Sequence, residues 1–345
     1  MSLSERKRKI LQLVISEYIK SAEPIGSRTI ARRFDLGLSS ATIRNEMADL
    51  EELGYLEQPY TSSGRIPSQK GYRFYVDSLM QIRDLSAKEI EWIQKIFDFK
   101  LKEIDQVIQH AAKVLSTLTH YTSLVMGPQI EKSCFEKIQI FPLDPEKALV
   151  VMVTDTGFVE NKIIELPFML STDELFRIVD YMNNKLKGLS IDKINSSLIE
   201  EMKMELIHKM DFIEQAISLL EESSLLHRES RIYLGGTANI LNQPEFKDVN
   251  KIKKIFNVLE EEALLSRLLE GTLSEGLKVT IGKEIEIEEI QECSLITATY
   301  SIGDKTIGTI GVIGPTRMDY SNVITIVGHI TQKLSHTLSE VYKKS

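Results

Sequence analysis

The chain has 345 residues, which is enough for two or three domains with buried cores. Its composition, 42% hydrophobic and 27% charged, is typical of a globular protein in water. No apolar run approaches the roughly 18 residues that cross a bilayer, and the basic, amphipathic N-terminus is unlike a signal peptide. The two cysteines, Cys134 and Cys293, lie far apart and fit a reducing compartment. We therefore expect a cytoplasmic protein without disulfide bonds.

The net charge of -8 is unevenly distributed along the chain. Residues 1–75 contain 12 Lys and Arg against 9 Asp and Glu, whereas the remainder contains 30 against 41. A mildly basic N-terminal part can meet phosphate groups with local positive charge, although the whole chain is acidic. This distribution permits nucleic-acid binding but does not establish it.

A first amphipathic helix is expected at residues 4–21. Its core-facing stripe comprises Ile10, Leu13, Val14, Tyr18 and Ile19. Four consecutive basic residues stand at its start: Arg6, Lys7, Arg8 and Lys9. Such a run usually forms a solvated face, but beside a DNA-binding unit it favours phosphate contact, which positions a protein without specifying sequence.

The next segment has the pattern of a helix-turn-helix. A short helix is expected at residues 27–34, then a turn at 35–38 and a second helix capped by Ser39 or Ser40. At 100° per residue, the apolar side chains of the second helix share one face, which would pack on the first helix. These apolar residues are Ile43, Met47 and Leu50, with Leu53 at the edge.

The opposite face of the second helix begins with small and hydrogen-bonding side chains: Ala41, Thr42, Arg44, Asn45 and Ala48. Its carboxylates come later. This order suits a helix that enters a major groove by its N-terminal end, where arginine can pair with guanine and asparagine with adenine. Ser39 and Ser40, with the free N–H groups of the first turn, are candidate phosphate contacts. The alternative interpretation is an ordinary amphipathic helix with a mixed polar face.

A hairpin is predicted directly after the second helix. Gly54 is placed to end the helix, residues 55–58 are strand-like, and the return begins at Arg65 after a turn at residues 61–64. A hairpin in this position is the wing of a winged helix, and its tip is suited to a phosphate or a minor groove. The candidate wing contacts are Ser63 and Arg65, with Arg28 and Lys70 as weaker phosphate candidates.

Two motifs in this region, TIRNEMADLEELGYL and TSSGRIPSQKGYRFYVD, closely resemble the N-terminal domain of the heat-inducible transcription repressor HrcA of bacteria. Three later stretches are also similar to that family: IYLGGTANILNQPEF from Ile232, CSLITATY from Cys293 and GTIGVIGPTRMDY from Gly308. The resemblance therefore covers nearly the whole chain. The stretch IGKEIEIEEIQEC, just before the late strands, is less typical of the family.

Beyond the wing, the periodicity changes several times. One or two connecting helices are expected at residues 87–118, and further helices at 172–186, 249–269 and 319–342. Strands are expected at residues 122–126, 135–141, 148–153, 158–166, 277–281, 294–302 and 306–313. An apolar stripe at residues 199–220 recurs at helical spacing, and such a stripe is more often core than interface.

This order of elements predicts a multidomain α+β protein. We expect a winged-helix domain at residues 1–85 and connecting helices at 86–120. A sheet domain should follow in two parts, 121–187 and 275–345, split by a mainly helical insertion at 188–274. The resemblance implies that the split domain is GAF-like and that the insertion mediates dimerisation.

The sequence carries no recognisable pattern for catalysis or metal binding. Its six histidines show no metal-ligand spacing with one another or with the cysteines, and no P-loop, GxGxxG or GxSxG motif occurs. No nucleophile with its base stands out. We expect neither enzymatic activity nor a cofactor or metal.

One recognition helix reads only about four or five base pairs, so a dimer on an inverted repeat is expected. The resemblance implies a homodimeric repressor whose operator lies upstream of chaperonin and other heat-shock genes. It also implies that repression depends on the GroE chaperonin and is lost on heat stress. Two alternatives stay open: a regulator gated by a small ligand in the GAF-like domain, and a winged helix that binds protein instead of DNA.

Overall fold

The computed structural model describes the following residues: 3–61, 63–97, 104–127, 133–144, 146–155, 159–165, 171–194, 197–198, 201–202, 231–270, 276–303 and 305–344. Over these ranges the chain is a mixture of helices and antiparallel sheets, as the sequence predicts. A winged helix-turn-helix comes first, and two separate sheet layers follow it.

The N-terminal unit is a winged helix. Its elements are α1 (Glu5–Ser21), α2 (Ser27–Arg33), α3 (Ser40–Glu52), β1 (Leu56–Glu57), β2 (Ile66–Pro67) and α4 (Gln69–Phe74), which continues into a π-helical turn (Tyr75–Leu79). The strands β1 and β2 pair antiparallel and form the predicted wing. Between the two possible caps of α3, the structure selects Ser39, whose hydroxyl accepts the Thr42 N–H at 3.1 Å. Gly54 follows α3 with a φ of 77°, the left-handed conformation that ends a helix.

The body begins with α5 (Ala87–Phe97) and α6 (Ile104–Thr119). Its larger sheet has five antiparallel strands in the order β7 (Ile232–Gly235), β3 (Thr122–Met126), β10 (Lys305–Pro315), β9 (Cys293–Ile302) and β8 (Leu277–Ile281). One face packs on α6 and the long C-terminal helix α10 (Tyr320–Lys344). The other face packs on α8 (Val249–Glu260) and α9 (Glu262–Glu270). Alternation along β3 divides its side chains between these cores, with Val125 on the first side and Leu124 and Met126 on the second.

A second, three-stranded antiparallel sheet stands apart from the first. It contains β4 (Phe135–Asp144), β5 (Lys147–Thr154) and β6 (Val159–Glu165), in that order. The helix α7 (Thr172–Leu186) covers one face through a core of its own, in which Phe135, Met152 and Met182 are buried. Buried and more exposed side chains alternate along β5. No described element covers the opposite face of the sheet.

Sheet membership differs from the sequence-based expectation that strands before and after residues 188-274 form one sheet. Strands β4 to β6 pair only with one another, whereas β7, which falls inside the expected insertion, pairs with β3. The physical reason is that strand pairing is non-local: β7 is only four residues long, and its partner lies more than a hundred residues earlier.

A further correction concerns residues 249–269, expected as one helix. The backbone becomes extended at Glu261, whose carbonyl then accepts from the N–H groups that begin α9. This break lets both Leu259 and Leu269 bury against the same sheet face. The stripe at residues 199–220 lies outside the described residues except for Met202, which is buried in the core of the second sheet.

The winged helix packs directly on the body and shares its main core. Gln69 of α4 accepts from the Lys283 N–H at 2.9 Å and donates to the Gln291 carbonyl at 3.2 Å. Arg73 pairs with Glu284 and donates to the Val279 carbonyl at 2.7 Å. Lys283, Glu284 and Gln291 belong to the stretch IGKEIEIEEIQEC, which is less typical in sequence. This stretch therefore lies at the junction between the body and the winged helix.

None of the helices in the described part of the chain is long and apolar enough to cross a membrane. Both cysteines are free, but their surroundings differ. Cys293 is buried between the sheet and α8, and this burial raises the pKa of its thiol to about 12. Cys134 is only half-buried, at the start of the second sheet.

We expect a thiol reagent at pH 8 to modify one cysteine per folded chain, because the thiolate is the reactive form and the Cys293 thiol stays protonated. The variant Cys134→Ser should show no rapid reaction until guanidinium unfolds it. The measurement is the time course of absorbance with a chromogenic disulfide. Equal rates for both thiols in the folded protein would contradict the buried position of Cys293.

Candidate nucleic-acid interface

The helix α3 is held by one apolar face. Ile43, Met47 and Leu50 are buried and pack against α1 and α2. Fully burying side chains of this size contributes roughly 1.5–3 kcal/mol each. The rotation of α3 about its axis is thereby fixed, and the opposite face must point to solvent.

The exposed face presents the residues that the sequence analysis selected. Ala41, Arg44 and Asn45 are exposed, while Thr42 and Ala48 are half-buried. Neither the Arg44 nor the Asn45 side chain has a hydrogen-bond or ion-pair partner among the described residues. The Thr42 hydroxyl lies 2.9 Å from the Ser39 hydroxyl at the helix start. The first half of α3 therefore offers a cation and an amide that are free to bind an external ligand.

The acidic half of α3 is neutralised from two sides. Lys7 of α1 reaches Asp49 at 2.8 Å and Glu46 at 3.1 Å. Hydrogen bonds with Asp49 and then Glu46 raise the pKa of Lys7 above its usual value. From the wing, Arg65 reaches Glu51 at 2.8 Å. These ion pairs reduce the negative charge that α3 would otherwise present to an anionic partner.

The predicted basic cluster at the start of α1 therefore has divided roles. Lys7 is occupied by α3, and Arg6 lies 3.4 Å from Glu46 as a more exposed neighbour. Arg8 donates to the Leu3 carbonyl at 3.1 Å, and Lys9 is exposed. Lys70 is also engaged: it donates to the Leu53 carbonyl at 2.8 Å and lies over the Tyr55 ring, so it caps the C-terminal end of α3.

The wing returns alongside the extended segment that precedes α2. Ile25 and Arg65 exchange two backbone hydrogen bonds of 2.9 Å each. This approach requires Gly64, because a Cβ at that position would lie 2.5 Å from the Ile25 carbonyl carbon. The Ser63 hydroxyl is also used locally, donating to the Tyr60 carbonyl at 2.7 Å.

A concave surface of about 460 Å³ lies between the wing and the two helices of the helix-turn-helix. Its lining brings together four of the predicted site residues: Arg28, Arg44, Ser63 and Arg65. Arg28 is exposed, and it has no ion-pair partner among the described residues. Ser27, Gln58 and Thr61 complete the polar part of the lining. A backbone phosphate of a duplex that meets α3 would find two unpaired guanidinium groups here.

The sequence reasoning missed one prominent wing residue, Tyr60. Its side chain is 75% exposed, the same fraction as that of Val249. The available signal was its position directly after Pro59 and before the turn, but the reasoning concentrated on charged residues. No group of three or more His, Cys, Asp or Glu side chains in the described ranges is arranged to hold a metal ion.

A recognition helix buried on one face and free on the other, followed by an antiparallel wing, defines a winged helix-turn-helix DNA-binding protein. Residues 2–78 match the family model "Winged helix-turn-helix transcription repressor, HrcA DNA-binding", and residues 105–324 match "HrcA protein C terminal domain". The chain belongs to the family of HrcA heat-inducible transcription repressors. The family consists of non-enzymatic DNA-binding regulators, as the sequence predicts.

Several relatives match over almost their whole length. The chain is 50% identical over 341 residues to the heat-inducible transcription repressor HrcA of Natranaerobius thermophilus, covering 99% of this chain and 98% of the relative. It is 46% identical over 344 residues to that of Pelotomaculum thermopropionicum, covering 99% of each. A crystal structure of a protein described as hypothetical has the same fold, with a TM-score of 0.65 at 24% identity, covering 99% of this chain and all of that one.

We expect Gly64→Ala to displace the wing, because the added methyl group overlaps the Ile25 backbone. Overlap of this kind costs about 1–3 kcal/mol, and the thermal midpoint should fall accordingly. Gly26→Ala is the matched control, since its Cβ would meet nothing closer than 4.0 Å. The measurement is calorimetric unfolding of both variants. Equal midpoints would show that the wing does not lie against Ile25.

Proposed function

We propose that this chain represses heat-shock operons by binding, as a homodimer, an inverted repeat upstream of chaperonin genes. The observation that carries the proposal is the pair Arg44 and Asn45, exposed and unpartnered within the described residues on the groove-facing half of α3. Arginine and asparagine are the side chains that read guanine and adenine through two hydrogen bonds each. We further propose that the protein acts in the cytoplasm, where the chromosome lies.

The proposed contacts follow from exposure along α3. Ala41, Thr42, Arg44, Asn45 and Ala48 would face the major groove. Ser39, Ser40 and the free N–H groups of the first turn would meet a phosphate, which a helix N-terminus attracts. Arg28, Arg8 and Lys9 have exposed side chains that supply further phosphate contacts.

Dimerisation is supported by the face of the second sheet that no described element covers. On that face Phe141, Leu149 and Ile163 stand opposite one another on three adjacent strands. Phe141 is 46% exposed and Ile163 is 60% exposed, and the neighbouring Val159 is 52% exposed. An apolar surface of this kind marks an interaction site. We propose that the segment between β3 and β7 is the inserted domain and that its sheet face joins two copies.

Dependence on the chaperonin is supported by the same kind of surface. Chaperonins hold chains through exposed apolar groups, and this part of the body exposes several large ones: Phe141, Leu143, Val159, Ile163 and Phe176. A repressor whose dimer face is unpaired would present those on the sheet, and Phe176 on α7 is exposed in either state. We propose that the GroE chaperonin binds this form and returns it to the dimer, and that heat-damaged proteins compete for the chaperonin.

We expect the protein to prefer a fluorescent duplex carrying the chaperonin-operon inverted repeat over a scrambled duplex by a thousandfold or so. The double variant Arg44→Ala, Asn45→Ala should lose most of that preference, because each two-bond base contact contributes roughly 1–3 kcal/mol. The measurement is an anisotropy titration at fixed salt, with and without purified chaperonin.

The matched control for this titration is Lys253→Ala with Asn257→Ala, which removes the same two kinds of side chain from the exposed surface of α8. Its preference for the repeat should equal that of the wild type. A double α3 variant that is folded and still prefers the repeat would overturn the proposed readout. A wild type without any preference for the repeat would favour a winged helix that binds protein.

We expect Ile163→Glu to convert the dimer into monomers, because the substitution places a charge on the apolar sheet face. Phe176→Glu is the control: Phe176 is 73% exposed but lies on α7, on the other side of the sheet. Sedimentation velocity at micromolar concentration distinguishes the two states. A dimeric Ile163→Glu protein would place the dimer interface elsewhere.

A second candidate function is ligand-gated regulation, which one observation favours. A cleft of about 470 Å³ lies between β8 and α9, and both apolar and charged side chains line it, Arg73 and Arg267 among them. Arg73 also joins the winged helix to the body through Val279 and Glu284. A ligand in this cleft would therefore alter DNA binding. A small molecule that changes operator affinity at constant temperature without chaperonin would favour this function.

A further inference from the structure

The wing carries one arginine, and the structure holds it away from solvent. The Arg65 side chain is only 20% exposed, and its guanidinium lies 2.8 Å from the Glu51 carboxylate. Its backbone is fixed at the same time by the two hydrogen bonds with Ile25. Arg65 is therefore bound through its backbone to the segment before α2 and through its side chain to the recognition helix.

This anchorage has a mechanical consequence. Glu51 lies in the last turn of α3, and among the described residues the wing has no other ion pair with that helix. The Arg65–Glu51 pair thus links the wing to the recognition helix across the concave surface. The Glu51 carboxylate stands beside the Arg65 guanidinium, and its negative charge disfavours a phosphate there.

The wing residue that does project into solvent is Tyr60, and its backbone is held in place. The Ser63 hydroxyl accepts the Tyr60 N–H at 3.1 Å and donates to the Tyr60 carbonyl at 2.7 Å. The Gln58 amide group donates to the Thr61 carbonyl at 3.0 Å and closes the same turn. Pro59 fixes the backbone just before the tyrosine. A large amphipathic ring is therefore presented with little backbone freedom left to lose on binding.

We propose that Tyr60 is the wing's contact with DNA, and that Arg65 is a positioning residue that sets the wing against α3 through Glu51. The inference rests on the proposed DNA-binding function. The Tyr60 ring packs against the sugar edges of the minor groove beside the bound major groove, and its hydroxyl donates to a phosphate or a minor-groove acceptor. This contact is uncharged, so it releases no counterions, in contrast to an arginine on a phosphate.

The test uses full-length dimer and the inverted-repeat duplex, titrated at four or more salt concentrations. Tyr60→Ala should weaken binding about tenfold per protomer, which corresponds to about 1.4 kcal/mol, with the dependence on salt unchanged. Tyr60→Phe should retain the part of the affinity that comes from ring packing. Val249→Ala is the matched control, because this side chain is equally exposed, at 75%, but lies on α8, outside the winged helix.

The same titrations assign Arg65. As a positioning residue, Arg65→Ala should weaken binding without changing the salt slope, Glu51→Gln should weaken it as much, and the double variant should be no worse than either single one. Calorimetric unfolding confirms that each variant is folded.

The outcomes separate the inference from the function on which it rests. Failure of the wild type to prefer the repeat would overturn the proposed function. Wild-type preference with full affinity in Tyr60→Ala would overturn the role of Tyr60. A salt slope that falls by about two per dimer in Arg65→Ala, with Glu51→Gln binding as tightly as wild type or tighter, would show that Arg65 binds phosphate.

Discussion

The arrangement of the DNA-binding unit depends on the charge pattern of α3. Its second half carries carboxylates, and two neighbouring elements each supply a cation to them: Lys7 from α1 and Arg65 from the wing. Partly exposed ion pairs contribute little to stability individually. Their effect here is geometric, because they connect α1, α3 and the wing at points where the apolar core alone would allow them to slide. The side chains in the first half of α3 remain free as a consequence.

The body fixes this unit in turn. A third junction contact joins Arg317, only 12% exposed at its side chain, to Glu245 and to the carbonyl of Ile19 at the end of α1. Gly282 lies beside the Gln69 contact with a φ of 57°, and any side chain at this position would overlap Gln69. Because the winged helix and the five-stranded sheet share one core, the orientation of α3 follows the body. In a dimer, the body would therefore determine how far apart the two recognition helices lie.

Much of this structure could be predicted from the sequence, because local periodicity carries strong information. The buried stripe of Ile43, Met47 and Leu50, the serine cap of α3 and the glycine at its end are all local features, and all were found. The strand β7 could not be found this way, because its four residues have no clear alternation. Its assignment to the sheet comes from pairing with β3.

The candidate site divides in the same manner. The exposed positions on α3 follow from helix geometry alone, so Arg44 and Asn45 could be selected before the fold was known. The roles of Lys7, Lys70 and Arg65 could not, because their partners are brought together only by tertiary packing. In a sequence, any basic residue is a candidate phosphate contact. Only the folded structure shows whether a carboxylate or a carbonyl already binds it. An exposed aromatic such as Tyr60 carries no sequence signal comparable to a charge.

The most direct test is a methylation-interference assay of the protein on the proposed inverted repeat. We expect two blocks of interference in the major groove, related by the symmetry of the repeat, with one guanine in each half-site. Arg44→Ala should abolish interference at that guanine in both half-sites and leave the rest of the pattern in place. A footprint confined to one block, or one that Arg44→Ala leaves unchanged, would contradict a dimer that reads DNA through α3.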